Sequence, residues 1–92
     1  MMSDDDLLIS KPSVASMFRL QWEEVQQSWV LLYPEGMVKL NGSAGEIMQR
    51  IDGKKTIAAL ITELETAFDA TGLQADVLAF LDIAIAQGWV KP

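Results

Sequence analysis

The sequence predicts an α+β domain: a winged-helix-like three-stranded antiparallel sheet, followed by three helices and a short C-terminal strand. Two features carry this prediction. Residues 18–40 hold three short runs, alternating or fully apolar, joined by polar or turn-forming residues. Residues 44–87 then change to the three-to-four-residue apolar spacing of amphipathic helices. At 92 residues the chain is one domain, large enough for a single core.

Taken in order, residues 1–17 mix acids, Ser, Lys11-Pro12 and isolated hydrophobes without sustained periodicity. They read as a flexible N-terminal arm, with Leu7 to Ile9 available to dock on the body or on a second copy. The domain proper spans 18–92. Phe18, Leu20 and Trp22 alternate with Arg19, Gln21 and Glu23, the pattern of a half-buried strand. Trp29 to Tyr33 is fully apolar and suits a buried strand. Pro34-Glu35-Gly36 closes a hairpin, and Met37 to Leu40 returns as a third, short strand. Sequential strands with short links form a meander, which leaves the first and third strands at its edges.

Ser43 and Glu46 have the spacing of a capping box ahead of the first helix. Ala44, Ile47, Met48 and Ile51 make its apolar face, and Asp52-Gly53 ends it. Gly42 and Gly45 are expected to soften its start. Thr56 caps the second helix, in which Ile57, Leu60, Ile61, Leu64 and Phe68 share a face. The third runs from Gln74 to Gln87 and stops at Gly88, with Trp89-Val90 as an extended end. Its apolar residues Val77, Leu78, Phe80, Leu81, Ala84 and Ile85 spread over roughly 160°, where one core contact needs only about 100°. Either two sides of this helix are covered, or it dimerises, or Leu78, Leu81 and Ile85 flank a groove beside the third strand.

Composition narrows the chemistry. No His and no Cys are present, which removes the commonest acid–base and nucleophilic groups, zinc clusters and disulfides. Pairs such as Glu23-Glu24 and Glu63 with Glu65 fall in a polar loop and on a polar helix face, where solvated charge is the simpler reading. Gly42-Ser43-Ala44-Gly45 lacks the Lys and spacing of a phosphate loop. Thirteen acids against seven bases give a net charge of −6, which repels phosphate backbones and anionic lipid. The acidic start, Asp4-Asp5-Asp6, is unlike a signal peptide, and no apolar run is long enough to span a bilayer. The expected setting is cytoplasmic, and the expected role is binding.

Three classes of binding protein compete. A winged-helix regulator would need Arg, Lys, Asn or Gln on a recognition helix, yet no basic residue occurs from Ile57 to Gln87. A structural dimerisation module fits the wide apolar arc. A peptide-binding domain fits the edge strand, whose free N–H and C=O groups can pair with an added strand. Lys39 on that strand discourages indiscriminate pairing.

The motifs carry a family resemblance. Leu32-Tyr33-Pro34-Glu35-Gly36, Lys39-Leu40-Asn41 and Ile51-Asp52-Gly53, with Leu20-Gln21-Trp22-Glu23 upstream and Val77 to Trp89 downstream, resemble the PqqD family. The match extends over Phe18 to Val90. These are peptide chaperones of pyrroloquinoline quinone biosynthesis, known as precursor recognition domains of ribosomally made, modified peptides. The resemblance implies a non-catalytic domain without a cofactor. It would bind the short precursor peptide PqqA by strand addition and present it to the radical S-adenosylmethionine enzyme PqqE. It also favours the groove: the peptide would lie along Met37, Val38, Lys39 and Leu40, with apolar side chains against Leu78, Leu81 and Ile85. Asp82 would meet a basic peptide residue. A monomer and a homodimer are both compatible with this reading.

Overall fold

The alternation of residues 19–39 becomes a three-stranded antiparallel meander in the computed structural model, which describes residues 3–92. Its strands are β2 (Arg19–Glu23), β3 (Ser28–Tyr33) and β4 (Gly36–Lys39), in spatial order β2-β3-β4. Before them come α1 (Asp4–Ile9) and β1 (Ser13–Val14). After them come α2 (Gly42–Met48), α3 (Ile57–Ala67), α4 (Gln74–Ala86) and β5 (Val90–Lys91). The α+β architecture and the order of sheet, helices and final strand are those expected.

Register decides which side chains reach the core. Leu31 lies opposite Val38, and Leu32 opposite Met37. Successive strand residues face opposite sides, so Leu31, Val38 and Leu40 share the inner face. Leu31 and Leu40 are buried, and Val38 packs partly buried against them. The core beneath is one cluster drawn from every helix, including Met48, Ile57, Leu60, Leu64, Val77, Leu81 and Ala84. Fully burying each of the Met, Ile, Leu and Val side chains is worth ~1.5–3 kcal/mol.

Helix starts depend on their caps. α2 begins two residues before the position expected, because Asn41 Oδ1 accepts the Ala44 N–H at 2.8 Å. Asn41 leaves the strand with extended backbone and is the N-cap; Asn is as good a cap as Ser. Ser43 is therefore inside the helix, and the Ser43–Glu46 box does not form. The helix also ends at Met48 rather than Ile51, although Ile51 remains buried. Asp52 begins the next turn, its Oδ1 accepting N–H groups of Lys54 and Lys55. Thr56 caps α3 as expected, accepting the Ala59 N–H at 3.1 Å.

Gly45 has a role opposite to softening. It is buried where α2 crosses β3, and a Cβ there would stand 2.9 Å from Trp29 Cδ1 and 3.2 Å from Trp29 Cβ. Its missing side chain is what lets the helix lie on the sheet.

Two elements in the segment read as an arm have no periodic signature. Ser3 caps α1 by accepting the Asp6 N–H, and Leu7 inserts into the core at 1% exposure, while Ile9 stays outside. β1 pairs antiparallel with β5, Val14 opposite Val90. The Ser10 carbonyl accepts the Ile57 N–H, an otherwise free donor at the start of α3, and the Pro12 carbonyl accepts that of Gly53.

Candidate functional site

β4 pairs with β3 on one side only, so its other edge is free among the described residues. The Leu40 N–H donates to the Trp29 carbonyl at 3.0 Å. Main-chain groups alternate in direction along an antiparallel ladder. Val38 therefore turns its main-chain groups toward β3, while Met37 and Lys39 turn theirs outward. The edge thus offers two donors and two acceptors, flanked by the exposed side chains of Met37 (46% exposed) and Lys39.

The residues expected on α4 divide into two sets. Leu78 is buried and Leu81 is fully so, both in the common cluster with Leu40. Ile85 is half-buried against that cluster, and Asp82 is exposed. Of the eight residues named from the sequence, Leu40, Leu78 and Leu81 are thus buried in the common core. Met37, Lys39 and Asp82 stand open, and Val38 and Ile85 are intermediate. β4 and α4 are not among the element pairs in extensive contact.

A concavity that sequence reasoning missed lies where α2, α3 and α4 converge. It encloses about 510 Å³ and is lined by Ile47, Leu64, Phe68, Leu73 and Val77, with Glu46 and Asp76 also at its walls. That volume falls within the ~300–1,000 Å³ usual for ligand pockets. Its spacing in the sequence puts Phe68 on one face of the second helix with Leu60, Ile61 and Leu64. It sits instead at the C-cap of α3, 53% exposed, because the helix stops at Ala67 and the chain leaves its apolar stripe. The available signal was its place as the last apolar residue before Asp69, where a stripe no longer needs to continue.

Ionic contacts hold this wall. Arg50 Nη1 donates to Glu46 Oε2 at 2.8 Å, and Arg50 Nε lies 3.3 Å from Glu63 Oε1. The same guanidinium lies 5.8 Å from the Phe68 ring centroid, within cation–π range. Lys55 Nζ donates to Glu63 Oε2 at 2.7 Å. That hydrogen bond, aided by the charges of Lys55 and Arg50, holds the Glu63 carboxyl below its usual range. The two backbone N–H bonds do the same for Asp52. On the far wall Glu65 Oε2 accepts the Leu73 N–H at 3.0 Å, fixing the entry to α4, which lacks a side-chain cap of its own.

The described residues hold no group of three or more potential metal ligands, and none of their helices is long and apolar enough to cross a membrane. A free strand edge and an apolar cleft are the features with which recognition domains hold an extended peptide. The family model described as coenzyme PQQ synthesis protein D (PqqD) matches residues 28–90, and the chain belongs to that family.

Curated relatives named "PqqA binding protein" support the assignment. One from Pseudomonas aeruginosa (strain UCBPP-PA14) is 48% identical over 85 residues, covering 91% of this chain and 92% of the relative. One from Acinetobacter baylyi is 48% identical over 86 residues, covering 92% and 87%. Among solved structures, the chain resembles the solution NMR structure of the PqqD truncation of Methylobacterium extorquens PqqCD. That structure is described as a functional, stand-alone recognition element for ribosomally synthesized and post-translationally modified peptides. The TM-score is 0.78 at 26% identity, covering all of this chain and 96% of the other.

Proposed function

We propose that this domain binds the precursor peptide PqqA as an added strand on β4 and presents it to the radical S-adenosylmethionine enzyme PqqE. The observation that carries the reading is the open β4 edge, in a family whose curated relatives are named for PqqA binding. Main-chain pairing at Met37 and Lys39 supplies affinity, and side chains around the edge supply selectivity. Val38 and Leu40 fasten the strand to the core, to which Leu78 and Leu81 also belong. Ile85 and Asp82 lie at the α4 border and meet the peptide's apolar and basic side chains. The domain does no chemistry; its part is to hold the peptide extended while the enzyme acts on it.

Amide NMR titration of the labelled domain with synthetic PqqA tests the binding step. The largest shifts are expected over Gly36 to Leu40 and on α4. Shifts confined to β2 would place the peptide on the opposite edge and overturn this version. Presentation is read in the same system, as a rise in PqqE turnover of PqqA when the domain is added.

A further inference from the structure

We propose that the cleft between α2, α3 and α4 anchors an apolar side chain of the bound peptide, taken from the residues just before its β4-paired stretch, with a basic peptide residue beside it at Asp76. This rests on the strand-addition reading and extends it to a second contact. The cleft begins where β4 ends: Gly42 and Ser43, at its lip, follow Lys39 by only three and four residues. Three residues reach at most ~11 Å. An added strand pairs more stably when antiparallel. Its preceding residues then leave β4 at the Lys39 end, beside that lip.

The lining matches such an occupant in size and in sign. Ile47, Leu64 and Val77 are a buried apolar floor, and Phe68 and Leu73 form partly exposed walls. Arg50 is committed to Glu46 and Glu63, so the cations near the cleft are already engaged. No Lys or Arg of the described residues lies within ion-pairing distance of Asp76. An apolar side chain flanked by Lys or Arg therefore complements floor and rim together. A second copy of this chain would bring a further −6 to an acidic rim, which disfavours self-association there.

The test uses the full chain and synthetic PqqA carrying a nitroxide at its N-terminus. Paramagnetic broadening is expected at the amides of Ser43, Phe68 and Asp76. In calorimetric titration with unlabelled peptide, Phe68→Ala is expected to weaken binding at least five-fold. Asp76→Lys should weaken it more at low salt than at high salt. Phe68 is exposed enough for the variant to fold, which circular dichroism checks; if it does not, the broadening on the unaltered chain decides. Wild-type affinity in both folded variants, or broadening at Gly36 instead of Ser43, would overturn the anchor. β4 shifts with a silent cleft would sink the anchor and leave strand addition standing. A response in the cleft with none on β4 would sink strand addition, and with it this route into the cleft.

Discussion

The two glycines at the start of α2 look interchangeable in the sequence and differ in physical role. A Cβ on Gly45 would stand 2.9 Å from Trp29 Cδ1 and 3.2 Å from that residue's own Cβ, which cannot swing away. A Cβ on Gly42 meets nothing within 4 Å. Gly45→Ala is therefore expected to destabilise by about 1–2 kcal/mol, since overpacking costs ~1–3 kcal/mol and better helix propensity returns up to ~1. Gly42→Ala should stabilise by ~0.4–1 kcal/mol through the unfolded chain. Urea denaturation of the two variants would check the opposite signs. Trp29 itself also packs against Trp22, whose ring lies edge-on at 5.6 Å.

At the scale of the element, β4 is a strand with two unlike sides. Its inward groups at Val38 complete the ladder, and its outward groups at Lys39 pair with no strand among the described residues. Proline is tolerated in sheets where its missing N–H would have faced away from the ladder. Lys39→Pro is thus expected to leave a folded domain and weaken PqqA binding by ten-fold or more. Val38→Pro removes a ladder donor opposite Leu31 and should unfold the hairpin. Circular dichroism with calorimetric titration separates the two, and full-strength binding by a folded Lys39→Pro domain would argue against strand addition. α4 shows a related division. Its wide apolar arc reflects core contact at Val77, Leu78, Leu81 and Ala84, with Phe80 and Ile85 partly covered and Ile83 exposed.

For the whole molecule, charge sets the partners. The chain carries −6, and the stretch from Ile57 to Gln87 contains no Lys or Arg. Two of the nearest cations, Arg50 and Lys55, are ion-paired to Glu46 and Glu63. A polyanion approaching α3 and α4 meets Glu63, Glu65, Asp69, Asp76 and Asp82. Non-specific DNA affinity derives largely from basic residues that release counterions. No mobility shift with a random duplex is expected at physiological salt. Micromolar, salt-sensitive binding would overturn the charge argument and revive a regulator role.

The sequence by itself determined the elements whose cause is local. Alternation placed β2 within a residue or so, the Pro34-Glu35-Gly36 turn placed β4 just as closely, and Thr56 marked the start of α3. It also made the free edge legible, because a meander of sequential strands must end on its third. Tertiary structure decided what depends on distant partners. β1 and β5 are two residues each and form only because the ends of the chain meet; neither has a period to read. Leu7 opens the apolar triplet Leu7-Leu8-Ile9, and only packing of α1 against α3 decides which member is buried. Leu78 and Leu81 went to the core rather than to an open groove wall, since a helical arc says how much is apolar but not which arc is covered. The cleft at Phe68 arises from three helix ends meeting, and periodicity within any one helix carries no record of where the others stop.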